Sequence, residues 1–169
     1  MKYLYNYKAL RKEEIDAGNI LIPKSQGPFR SDPYFGIDMY FPIEFGSVTN
    51  AIRQHQWKQR GFPTSGVSTT PHFERAKFYA KRNGVIVKIY RQSLTKFGII
   101  EYDVDEYLKP GEIAVPDDDE IILVKEDGGS FPKEIIVEGI LSKLIGNALK
   151  IYYSPELSPS QTYYPVIHR

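Results

Sequence analysis

Cysteine is missing from this 169-residue chain. That absence excludes disulfides, thiolate nucleophiles and cysteine-based zinc sites together, and leaves the redox compartment unread. Net charge is nearly missing as well: 22 Lys and Arg stand against 21 Asp and Glu, a formal +1. Bulk electrostatics therefore give no reason to invoke nucleic acid or an anionic membrane surface. No window approaches the roughly 20 apolar residues of a membrane span. The opening stretch Met1 to Tyr7 has no apolar core of signal-peptide length. The expected location is cytoplasmic, or a target cell reached without a cleaved signal peptide. No internal repeat is visible.

What the chain does have is aromatic residues, 13 Tyr and 9 Phe. They suit half-exposed strands of a β-rich fold. The length fits one domain with a sizeable core. We expect that domain over residues 1–150, with a Pro- and Tyr-containing tail over 151–169.

Residues 3–10 alternate loosely and read as a strand. Lys12 to Ala17 reads as a short helix stopped by Gly18. Prolines and glycines between 23 and 46 argue for a long irregular segment. Ser47 to Gln59 has helical character, and Val67-Ser68-Thr69 is a short strand. Thr70 then reads as an N-cap, with Pro71 opening a helix over 71–82. Strands are expected at 85–90, 99–104, 121–124 and 135–141, a loop at 105–117 and a helix at 142–150. The order predicts an α+β fold with a mostly antiparallel sheet and helices mainly in the N-terminal half.

One stretch combines charge and strand unusually. Asp117-Asp118-Asp119-Glu120 runs straight into Ile121-Ile122-Leu123-Val124. Asp118 and Glu120 are two apart, so an extended approach to the strand aims both at one face. Such a pair is a candidate acid/base site, and a charged turn is the alternative. Ser68 alone reads as a strand-end hydroxyl, and Thr70 as a cap. His55 and His72 read as packing or surface residues, and Glu134 and Glu138 as solvent-facing. Arg53, Lys58, Arg60, Arg75, Lys77, Lys81 and Arg82 could form a basic helix face, which usually means a solvated surface.

Three separated segments line up: Tyr7-Lys8-Ala9-Leu10, then Gly66-Val67-Ser68-Thr69-Thr70, then Asp118-Asp119-Glu120-Ile121. Together they resemble the mono-ADP-ribosyltransferases of the cholera-toxin and pertussis-toxin type. That family's pattern is an arginine on the first strand, a Ser-Thr-Ser box on a later strand, and a Glu- or Gln-x-Glu box entering a strand near the end. The similarity extends to Glu13-Glu14-Ile15 and Gly18, to the helix Asn50 to Gln56 with its His55, and to Phe131-Pro132 with Glu134-Ile135. It covers roughly residues 3–141. Two departures stand out. Lys8 sits where the family has arginine, which replaces a planar fork by a point charge. The first acid of the pair is aspartate rather than glutamate.

The resemblance implies two packed, mostly antiparallel sheets around an NAD-binding cleft. It implies transfer of ADP-ribose from NAD, as substrate, to a macromolecular acceptor, a protein with arginine favoured. Glu120 would stabilise the ribosyl cation, Asp118 would face the acceptor, and Ser68 would hold Glu120. Lys8, Tyr7, Ala9, His55, Ser68, Thr69 and Glu120 would contact NAD, and Tyr107 in the 105–117 loop would contact the acceptor. No metal is expected. An inhibitor or immunity protein would be a further partner. Lys8 leaves open a weakened enzyme or a non-catalytic module that binds NAD or a partner. Nucleic-acid modification is a third reading.

Overall fold

The computed structural model describes residues 3–11, 14, 21–31, 47–57, 63–80, 84–141 and 151–152. The helices expected at 12–17 and 142–150 lie essentially outside the described residues, as does most of the irregular segment 23–46.

The chain forms strands β1 (Tyr5–Leu10), β2 (Val67–Thr69), β3 (Val85–Tyr90), β4 (Ile99–Asp103), β5 (Ile121–Lys125), β6 (Ile136–Leu141) and β7 (Ile151–Tyr152). Helices α1 (Val48–Trp57), α2 (Phe73–Ala80) and α3 (Val104–Tyr107) are interspersed. One four-stranded sheet runs β1-β3-β6-β7 and one three-stranded sheet runs β2-β5-β4. Every paired neighbour is antiparallel. The fold is α+β with two antiparallel sheets, as expected. Residues 151–152 belong to the first sheet, where they pair with Gly139 and Ile140, so the stretch read as a tail begins as a strand.

Alternation along β5 explains the layering. Successive strand residues point to opposite faces. Ile121 and Leu123 join Leu10, Val87 and Ile89 in a core between the sheets. Ile122 and Val124 join Ala51 and Ile52 of α1, with Val104 and Leu108, in a second core. β5 is thus buried on both faces, which is why it reads as an uninterrupted aliphatic run. Each such side chain contributes roughly 1.5–3 kcal/mol on full burial. On the far side of the first sheet, Ala76 and Ala80 of α2 cover Ile86, Tyr7 and Ala9. With Tyr7 and Ala9 turned towards α2, Lys8 shares the inner face with Leu10.

Several boundaries differ from the sequence-based expectation. α2 begins at Phe73, two residues beyond Pro71. The Thr70 hydroxyl still accepts from the His72 N–H at 3.1 Å, so it caps the turn leading into the helix. Residues 91–97 form a 3₁₀ helix ended by Gly98 in the left-handed region. The segment expected as a plain loop at 105–117 holds α3 and 3₁₀ turns at Pro110–Glu112 and Pro116–Asp118. Glu134 lies in another such turn, Lys133–Ile135, and the last long strand starts at Ile136 rather than at residue 135.

Candidate functional site

Among the described residues β1 and β2 are edge strands, and they meet at one point. The Tyr7 N–H donates to the Thr70 carbonyl at 2.7 Å, and the Thr70 N–H donates back to Tyr7 at 3.0 Å. Around this bridge opens a cleft of about 290 Å³. Its walls are Tyr7, Lys8, Ala9, His55, Gln56, Ser68, Thr69, Thr70, Ala76, Tyr79, Ala114, Val115, Asp118 and Glu120. The structure therefore gathers all the sequence-predicted site residues except Tyr107. That tyrosine ends α3, is 38% exposed, and packs edge-on against Tyr102 with centroids 5.6 Å apart.

Glu120 is the residue before β5, opposite Thr70 just past β2, because Thr69 pairs with Ile121. Its side chain is 15% exposed. His55 Nε2 lies 3.4 Å from Glu120 Oε1 and 2.8 Å from Ser68 Oγ. Gln56 Nε2 donates to Glu120 Oε2, and Gln56 Oε1 accepts from the Ala114 N–H at 2.9 Å. A carboxylate only accepts, so Nε2 must carry a proton where His55 meets Glu120. The buried Thr64 hydroxyl sits on Nδ1. Burial would raise the Glu120 pKa. Hydrogen bonds from His55 and Ser68, with electrostatic attraction to His55 and Lys8, outweigh it and hold the pKa below the usual carboxylate value.

Lys8 is half-buried between this cleft and a smaller hollow lined by Glu14, Lys24 and Ser68. Burial lowers its pKa. Glu120 and Glu14 pull it back up in part, while Lys24 lowers it further. Arg11 does not substitute for a first-strand arginine: it is exposed and pairs with Glu14 at 3.3 Å.

Asp118 reaches the cleft by a different route from the one expected. The backbone is not extended there. Pro116–Asp118 is a 3₁₀ turn and Asp119 takes φ 43°, ψ 53°, a left-handed conformation that aspartate tolerates better than most residues. The turn swings Asp118 against α2. Its Oδ1 accepts from Arg75 Nε at 2.6 Å and lies 2.6 Å from Arg75 Nη2, while its Oδ2 accepts from the Tyr79 hydroxyl at 2.6 Å. Thr70 Oγ1 donates to the Asp118 carbonyl at 2.6 Å and fixes the turn on β2. Asp119 pairs with His72 at 2.7 Å. The Thr69 hydroxyl donates to the Ile121 carbonyl, so it joins β2 to β5.

Sequence reasoning missed Gln56, Thr64, Arg75 and Tyr79. Arg75 and Tyr79 are four apart on a helix, a spacing that places them on one face. Gln56 simply follows His55, and nothing in the sequence around Thr64 marks it. Of the basic face, Arg53 pairs with Glu112, Arg75 with Asp118 and Lys77 with Glu74. Lys58, Arg60, Lys81 and Arg82 lie outside the described residues.

Among the described residues no group of three or more His, Asp or Glu side chains is placed to hold a metal ion, and no helix is long and apolar enough to cross a membrane. Neither a protein-family model nor a curated protein matches the chain.

Proposed function

We propose that the chain is an NAD-dependent mono-ADP-ribosyltransferase that transfers ADP-ribose to a macromolecular acceptor, a protein in the first instance, with release of nicotinamide. The observation that carries this reading is the convergence of Lys8, Ser68 and Glu120 on one cleft from three separate elements, with His55 behind them. The size of the cleft supports the nicotinamide-ribose half of a dinucleotide. It lies near the lower end of the roughly 300–1,000 Å³ typical of ligand sites, so the remainder of NAD would run along the rim past Lys8.

Breaking the bond between nicotinamide and ribose develops positive charge on the sugar, as in glycoside hydrolysis. An ionised Glu120 is suited to stabilise that charge through the ribose hydroxyl. Gln56, Ser68 and His55 orient the carboxylate and hold it ionised. Lys8 would meet the pyrophosphate as a point charge. The pairing of Arg53, Arg75 and Lys77 with acids weighs against a nucleic-acid acceptor.

The test is Glu120→Gln. Nicotinamide release and ADP-ribose transfer are both lost while the protein stays folded; undiminished activity would overturn the reading. A second reading rests on Lys8, whose positive charge burial disfavours: a module that binds NAD or a partner without turnover. Lys8→Arg separates the two. A large gain in NAD cleavage means an attenuated enzyme, and no cleavage in either form means a binder.

A further inference from the structure

Recognition of an arginine side chain asks for two things: a carboxylate that accepts the guanidinium fork, and aromatic faces over its plane. Both are present beside the cleft, and both are already engaged by the protein's own Arg75. Its guanidinium lies against Asp118 Oδ1, with Nε and Nη2 each at 2.6 Å. Its Cζ lies 5.6 Å from the Phe78 ring centroid and 5.8 Å from that of Tyr79. Tyr79 takes the second carboxylate oxygen. Asp118 and Arg75 are only 15% and 30% exposed at the side chain. The pair is built from α2 and the Pro116–Asp118 turn, and Thr70 anchors that turn through its carbonyl.

We propose, resting on the transferase reading, that Arg75 fills the guanidinium position of the site, so that the acceptor presents an uncharged nucleophile such as a hydroxyl and not an arginine. An incoming guanidinium would meet a like charge at the carboxylate it needs and would have to displace two charge-assisted hydrogen bonds. A hydroxyl meets neither obstacle. In the transfer, the bond from ribose C1′ to the nicotinamide nitrogen breaks and its electron pair leaves with nicotinamide. A lone pair of the acceptor oxygen forms the new C1′–O bond, and the hydroxyl proton passes to water. Asp118 is then a positioning residue, since both its oxygens are committed to Arg75 and Tyr79.

The experiment offers NAD with agmatine, a free guanidinium, or with methanol, a neutral hydroxyl. It uses the wild-type chain, Arg75→Met and Arg75→Lys, and measures nicotinamide release and both adducts. Wild type is expected to give the methanol adduct and no agmatine adduct. Arg75→Met is expected to gain agmatine transfer relative to hydrolysis by at least about tenfold, the scale of one favourable contact. Arg75→Lys, which keeps the charge, should not. A turnover-free readout accompanies this: the Nε–H proton resonance of Arg75, assigned by its loss in Arg75→Met, persists under excess agmatine. Agmatine transfer by wild type, no gain in Arg75→Met, or loss of that resonance each overturn the proposal. Absence of nicotinamide release from every form instead removes the transferase reading, and the acceptor assignment with it.

Discussion

Replacing Gly66 by alanine would put a methyl group 2.5 Å from Ile122 Cγ2, 3.0 Å from Phe29 Cε2 and 3.2 Å from His55 Nδ1. Carbon atoms in contact sit roughly 3.5–4.0 Å apart, so the closest of these must open by about 1 Å. Ile122 has little room to give. It is 0% exposed, it lies on a strand flanked on both sides by β2 and β4, and its Cγ2 is fixed by a β-branched χ1. Overpacking of this kind costs about 1–3 kcal/mol. For a chain of this size each kcal/mol lowers Tm by about 2–4 °C, which gives a fall of about 2–12 °C. The effect reaches the site as well, because the ring of His55 is one of the groups the methyl displaces. Differential scanning calorimetry on Gly66→Ala measures the first part, and nicotinamide release measures the second. Ile122→Ala removes the obstructing Cγ2, so in a double-mutant cycle the two substitutions should couple favourably by about 0.5–3 kcal/mol. A Gly66→Ala protein that melts with the wild type, or a cycle that is purely additive, would refute this account of why glycine precedes β2.

The Gln56 amide links Glu120 to the Ala114 N–H. Gln56→Ala should therefore lower kcat more than it raises KM for NAD, as loss of an orienting contact does; an unchanged kcat would count against that role. Thr64→Val leaves His55 Nδ1 without its hydroxyl partner. Such a loss costs about 1–3 kcal/mol, measurable as a drop in the urea midpoint at unchanged m-value. Glu120 has a pKa held below its ordinary 4.5 in the folded state, so its contribution to stability is complete above about pH 4.5 and disappears as pH falls through the folded pKa. Glu120→Gln should accordingly show a shallower loss of stability below pH 4.5 than wild type, read from urea midpoints across that range; parallel curves would contradict the shift.

The strands were legible because their physics is local. Five of the six residues of β3, VIVKIY, favour extended backbone, and β5 announces burial on both faces by its aliphatic run. The pattern of residues marked Ser68 only as a strand-end hydroxyl and Glu120 as an acid before a strand; their association came from the resemblance, and it is the pairing of β2 with β5 that sets the two at one level. The route taken by Asp118 was not legible. A Pro-Asp-Asp-Asp run is compatible with extended or turned backbone, and only the tertiary partners Arg75, Tyr79 and Thr70 select the turn. The same holds for Gln56 and Thr64, whose partners lie 64 and 9 residues away respectively. Neither side chain carries a signal of its own.

The single bridge between Tyr7 and Thr70 explains why chemistry could collect where it does. An edge strand presents unpaired backbone groups, and natural folds cover or shorten such edges. Here two edges from different sheets cover each other at one point. Continued pairing would have closed the space; the separation of the strands leaves a cleft walled by residues of both, with α1, α2 and the segment before β5 completing it. Period-two alternation then sends Lys8 inward on one wall and leaves Ser68, between buried Val67 and Thr69, facing α1 and His55 on the other. Glu120 enters from β5 at the same level because its register with β2 is fixed by Thr69 opposite Ile121. A one-residue slip of that register would turn Ile121 out of the inter-sheet core while moving Glu120 out of reach of Ser68. The apolar residues that hold β5 in place therefore also set the position of the carboxylate, so the site depends on the core even though its polar residues make up none of it.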